Sequence, residues 1–267
     1  MATPGDPPPP ERSSTPTPGD AKAYSPARQA PGAATVAELD RRLVDCRACP
    51  RLVAWREEAG RVKRRAYAEW DYWARPVAGF GPADAAVLVI GLAPAAHGGN
   101  RTGRMFTGDR SGDVLVEALY DLGLASQPTT VSRDDGLALH GVRFTAPVHC
   151  APPDNKPTPA ERDTCRPWLV HELRLLRPTL RAAVVLGGFG WQAALPAFAA
   201  TCWHVPTPRP KFAHGARTTL TATDEGPDLA LFGCYHVSQQ NTFTGRLTPA
   251  MLREVLDEAA VAAGLRP

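Results

Sequence analysis

The sequence of 267 residues contains no apolar run of about 20 residues of the kind a membrane helix needs. Its first residues carry no basic start followed by an apolar stretch, the pattern of a secretory leader. Both absences point to a soluble, cytoplasmic protein without a membrane partner. The formal charge is only +3, which by itself does not decide for or against a nucleic-acid partner. Six cysteines in a chain this long, with no sign of export, argue against a disulfide framework. No internal repeat is visible, which excludes a solenoid. Large apolar residues are almost missing from the first 35 positions, where nine prolines stand among Ser, Thr, Ala and Gly. Such a composition cannot offset its ordering entropy, and residues 1–35 are expected to form a disordered tail preceding a single domain over 36–267.

What remains is organised around the stretch from Gly91 to Gly112, GLAPAAHGGNRTGRMFTGDRSG. It follows the short apolar run Ala86–Ile90, which reads as a strand buried on both faces. A glycine-rich loop at the carboxyl end of such a strand is where open α/β sheets bind ligands. Phe106 and Asp109 are left in it as one flat apolar face and one carboxylate. Further apolar strands are expected at Arg143–Val148 and Ala182–Leu186, with a fourth at Arg217–Ala222 or at Leu231–Tyr235. Between them lie helical patterns. The clearest begins at Thr158-Pro159 with Glu161, a capping box with proline at the first helical position, and another begins at Thr248-Pro249. Strands alternating with helices predict an α/β three-layer sandwich with a central four-stranded, mostly parallel sheet.

Between Arg41 and Arg75 ten Lys or Arg face five Asp or Glu. A solvated helix face over Arg51–Trp70 accounts for this at least as well as a phosphate-contacting surface does. The aromatics Trp70, Tyr72 and Trp73 beside it are expected to pack under the helix. Cys46-x2-Cys49 and Cys150-x14-Cys165 bring two distant segments together as one four-thiolate site, and ligand count alone admits either zinc or an iron–sulfur cluster. Cys202 and Cys234 read as small buried residues. Asp109 also stands where a helix cap would, and His236 and Phe106 have plain structural readings as a strand-end histidine and a core aromatic. His97 and His149 are weaker functional candidates.

Three stretches together resemble the type 5 (type B) branch of the uracil-DNA glycosylase superfamily: GLAPAAHGGNRTGRMFTGD at 91–109, HCAPPDNKPTP at 149–159 and HVSQQNTFTGRLTP at 236–249. With the cysteine spacing they extend the resemblance over nearly the whole chain from Cys46. The resemblance implies a monofunctional, monomeric DNA repair enzyme that flips a deaminated base from double-stranded DNA and hydrolyses its N-glycosidic bond. It implies a [4Fe–4S] cluster on Cys46, Cys49, Cys150 and Cys165. Phe106 would stack on the extruded base, Asp109 would handle the attacking water, and His236 would stabilise charge on the leaving base. Gln239, Gln240, Asn241 and Arg246 would meet the DNA. Two departures stand out. Ala95-Ala96 replaces an activating carboxylate of uracil-specific relatives, and Ala146 replaces their uracil-reading Asn, with Asn155 as a substitute. These imply relaxed specificity reaching hypoxanthine, xanthine and 5-hydroxymethyluracil. Val237 stands where many relatives have proline. A non-catalytic damaged-DNA binding protein on the same fold is the competing expectation.

Overall fold

A computed structural model describes residues 25–266. It begins with helix α1 (Pro26–Gln29) and a 3-10 turn over Ala30–Gly32, followed by α2 (Val36–Leu43) and α3 (Pro50–Val62). Regular structure is thus present from Pro26, within the segment expected to form a tail. Pro26, Ala30 and Ala33 are buried, so these small residues fit beneath the first helices. Most of the expected tail, residues 1–24, lies outside the described residues. The basic helix is also shorter than expected. It ends at Val62, where Lys63 takes a left-handed conformation (φ 57°), and a 3-10 turn over Arg65–Tyr67 follows.

Strand β1 (Val87–Ile90) then opens the α/β part. After it come α4 (Gly99–Thr102), α5 (Arg110–Asp121), β2 (Val142–Thr145), α6 (Pro159–Leu176), β3 (Ala182–Leu186), α7 (Gly188–Ala199), β4 (Trp203–His204), β5 (Arg217–Ala222), β6 (Leu229–Cys234), α8 (Gln239–Phe243) and α9 (Pro249–Ala262). The sheet order is β2-β1-β3-β6-β5-β4. β2, β1, β3 and β6 are parallel, with Val89 opposite Phe144 and Val184, and Val184 opposite Phe232. β5 and β4 extend this sheet antiparallel.

The α/β class is as expected, but the sheet has six strands and is mixed. Both alternatives for the fourth strand are present, because Arg217–Ala222 and Leu229–Cys234 turn back on each other as a pair. β5 betrays its place at the margin by alternating exposed and more buried positions, whereas β1 and β3 are buried throughout.

The period of two along the strands divides the core. Val87, Val89, Val184 and Leu186 point to the side covered by α5 and α9, where Leu115, Leu119, Leu252 and Leu256 pack. Leu88, Ile90, Ala183 and Val185 point to the side covered by α6 and α7, where Leu169, Leu173, Trp191 and Phe198 pack. Helices on both sides leave the carboxyl edge of β2, β1, β3 and β6 as the place where their loops gather.

A candidate active site at the carboxyl edge of the sheet

Asp109 is the N-cap of α5. One carboxylate oxygen, Oδ1, accepts a hydrogen bond from the Gly112 amide at 3.1 Å. The cap reading is therefore correct, and the cap also holds the carboxylate at the mouth of the loop. The other oxygen, Oδ2, rests against Gly98, where even a β-carbon would collide with it. Burial raises the Asp109 pKa above its ordinary value, against the lowering effect of the Gly112 and Ser111 amides; Asp113 adds to the rise and Arg101 opposes it.

Phe106 adopts φ 49°, a left-handed conformation that costs a bulky residue strain of order 1–3 kcal/mol. Its ring lies directly against Gly91 and meets Phe144 of β2 edge-on at 5.2 Å. Its carbonyl accepts from Thr130 Oγ1 at 3.2 Å. The ring is partly buried against the core, which agrees with the core reading and leaves part of it exposed.

His236 lies just past the end of β6. Gly187, in a left-handed conformation (φ 87°), leaves the room that its Cβ occupies. Burial lowers the imidazole pKa to about 4, so the ring is neutral near pH 7. Asp109 and His236 therefore belong to loops that leave β1 and β6, the two neighbours of β3.

Asn241, expected at the DNA, makes a contact within the chain. Its side-chain amide turns inward and donates to the His236 carbonyl at 2.8 Å. Gln239, Gln240 and Arg246 are exposed on and just after α8, with the Arg246 guanidinium 4.6 Å from the centre of the Tyr235 ring. Phe243, 72% exposed in the same segment, is a residue that sequence reasoning missed. An aromatic inside the polar run QQNTFTG was the available signal. Ala146 is buried at the end of β2 and presents only a methyl group. Asn155 is exposed with φ 54° in a 3-10 turn at the same edge of the sheet.

The two weaker candidates each make a contact within the chain. His149 is buried, with Nδ1 2.8 Å from the Val77 carbonyl, and His97 Nδ1 shares a hydrogen bond with the Tyr72 hydroxyl at 3.0 Å. Trp73 donates to the Pro76 carbonyl. Tyr67 and Trp70 instead hold the Arg101 guanidinium, 3.9 and 4.1 Å from their ring centres. Arg101 in turn donates to the carbonyls of His97 and Gly108, both at 2.7 Å, and so ties together the stretches just before Gly98 and Asp109. The aromatic group beside the basic helix shapes the pocket loop from behind.

Cys46, Cys49, Cys150 and Cys165 line one cavity between α2, α3, α6 and the loop after β2. Arg56 is fully buried beside them and donates to Cys150 Sγ at 3.0 Å and to the Cys46 carbonyl at 3.1 Å, while its Nε has no partner. As bare thiols the four are held protonated by burial, Cys49 at about 12 and Cys150 at about 11. Among the described residues no three His, Cys, Asp or Glu side chains stand as a single metal ion would require. Cys234 is buried as expected, but Cys202 is half-exposed, with its side chain hydrogen-bonded to Asp224.

The pattern that defines the Uracil DNA glycosylase superfamily matches residues 78–260. A type-5 uracil-DNA glycosylase of Mycobacterium tuberculosis is 55% identical over 234 residues, which cover 88% of this chain and 84% of the relative. One from Thermus thermophilus is 50% identical over 224 residues, 84% of this chain and 96% of the relative. A type-4 uracil-DNA glycosylase of Pyrobaculum aerophilum is 34% identical over 117 residues, 43% of this chain and 51% of the relative.

Proposed function

Since the chain belongs to the uracil-DNA glycosylase superfamily, on its type-5 branch, we propose that it releases uracil and other deaminated bases from double-stranded DNA as a monofunctional DNA glycosylase. The observation that carries this reading is the half-buried Asp109 carboxylate and the neutral His236 imidazole on the loops that leave two strands flanking β3, with the Phe106 ring in the first of those loops.

The base leaves the duplex at a cost of about a few kcal/mol, and stacking on Phe106 returns roughly 1–3 kcal/mol of it. Asp109, fixed by the α5 amides, accepts a proton from the attacking water and faces the positive charge that grows on the sugar. His236, kept neutral by its surroundings, donates toward the base oxygen as negative charge builds there. Asn241 holds the His236 backbone in place from the same loop. Gln239, Gln240, Phe243 and Arg246 are the side chains free to fill the gap left in the duplex and to contact its backbone.

Ala95, Ala96 and Ala146 bring no side-chain amide or carboxylate to the pocket, so purine-like hypoxanthine and xanthine and the larger 5-hydroxymethyluracil meet fewer polar checks there. Asn155 is the amide at this edge available to read a base.

The four cysteines fit a [4Fe–4S] cluster. The net negative charge of a thiolate cluster would compensate Arg56, a buried cation beside Cys150. When bound, the cluster would tie α2 and α3 to α6 and take no part in hydrolysis.

The test is incubation with a duplex carrying one uracil, opposite G or A, followed by alkaline cleavage. Strand scission at the lesion is expected with both. Failure with both would overturn the reading, and hypoxanthine, xanthine and 5-hydroxymethyluracil substrates on the same protein test the wider specificity.

A further inference from the structure

A groove that the reaction does not use runs from the rim of the site across α7. It is lined by Arg162, Trp191, Gln192, Arg209, Lys211 and Phe212 among others, with three cations and no carboxylate. Topology places it at the same edge of the sheet as the active site. Arg162 is in the first turn of α6 and Gly188 opens α7, both at the carboxyl ends of the parallel strands. The segment with Arg209, Lys211 and Phe212 precedes β5, whose antiparallel pairing sets Arg217 opposite Phe232 near the end of β6.

The groove is continuous with the site. Gly188 follows Gly187, on which His236 sits. Phe212 meets the Tyr235 ring at 6.4 Å, and the Arg246 guanidinium lies by that same ring. Arg162 is already paired with Asp163. Arg209 and Lys211 are exposed, and neither has a carboxylate partner among the described residues. Their positive charge over an apolar floor of Trp191 and Phe212 matches a sugar–phosphate chain, whose deoxyribose is apolar and whose phosphates are anionic.

Building on the glycosylase reading, we propose that this groove holds the DNA backbone on one side of the lesion, with Arg209 and Lys211 each neutralising a phosphate. The contacts add affinity and orientation without base recognition.

Binding of the full chain and of Arg209→Ala/Lys211→Ala to undamaged and abasic duplexes, across about 50 to 200 mM salt, tests this. The slope of log affinity against log salt should be shallower by about 1.8 in the variant, at about 0.9 per phosphate. Shortening the duplex on one side of the lesion should abolish the difference between the two proteins, and shortening it on the other side should not. Equal slopes in a folded variant, or a difference that survives both truncations, would overturn the proposal. So would an acidic peptide that binds the parent in this groove while DNA binding is unaffected by the substitutions. Arg209→Glu/Lys211→Glu should weaken binding further, and circular dichroism shows whether each variant is folded. Binding to undamaged DNA needs no base release, so a parent protein inactive on uracil would sink the glycosylase reading without touching this measurement.

Discussion

The Oδ2 atom of Asp109 lies against Gly98, so that the carboxylate and the backbone of the preceding loop occupy adjoining space with no room for one methyl group. The carboxylate is thereby fixed from two directions, by the Gly112 amide at one oxygen and by the bare backbone of Gly98 at the other. A catalytic group held in this way needs no reorganisation when the substrate arrives.

Gly98→Ala should therefore impair base release far more than it impairs folding. Displacing the carboxylate by about 1 Å is expected to slow single-turnover release by roughly 10²-fold. Thermal unfolding together with the single-turnover rate checks this, and a normal rate in the variant would show that Asp109 does not act from its observed position.

Asp109→Asn retains a cap of nearly the same shape but accepts no proton. Base release should fall by about 10²- to 10⁴-fold, with binding to abasic duplex retained. In the parent, burial puts the acid limb of the pH–rate profile above the ordinary aspartate value of about 3.9. That limb should be absent from the residual rate of the variant.

His236 adds no limb between pH 5 and 8, because its folded pKa of about 4 keeps it neutral throughout that range. His236→Ala should cost roughly 10² to 10³ in single-turnover rate, the usual loss for one donor to a developing anion. Unfolded, the imidazole binds a proton near pH 6.5, so its neutral burial stabilises the fold above that pH and this contribution fades as pH falls toward 4. Asn241→Ala should lower the rate without changing the salt dependence of DNA binding, since its amide faces the His236 carbonyl.

Asp135 secures the pocket loop from the outer side. It pairs with Arg104 at 2.8 Å and accepts from the amides of Val131, Ser132 and Leu137. Burial pushes its pKa up, but Arg104 and the three amides outweigh this and hold it at about 2. Asp135→Asn should cost about 3 kcal/mol at pH 7, leaving the nearly buried Arg104 without its anion. Because the folded pKa is depressed, the parent loses this advantage as pH falls below about 4 toward 2, and urea unfolding at pH 7 and pH 3 should show the gap narrowing.

How much of this was legible in the sequence depended on how local each feature is. The Thr158–Glu161 capping box, the buried runs of β1 and β3 and the cap position of Asp109 are set by residues a few positions apart, and they stand where the pattern places them. The antiparallel pairing of β5 with β6 depends on a turn over 223–228 that polar composition marks only as a loop. Helix α7 begins in glycines and is apolar on several sides, so it shows no clear periodicity. The inward turn of Asn241 and the clasp of Arg101 between Tyr67 and Trp70 are matters of side-chain direction in three dimensions, which spacing in a motif does not encode.

The contacts between the first helices and the rest of the chain have a consequence for synthesis. Asp40 meets Arg143, Arg51 meets Glu161 and Arg56 meets Cys150, at separations of 103, 110 and 94 residues. On the ribosome, α2 and α3 therefore emerge long before anything exists for them to pack against. The newborn chain carries Cys46 and Cys49 uncovered through more than a hundred further additions, and the four-cysteine cavity closes only once α6 has appeared.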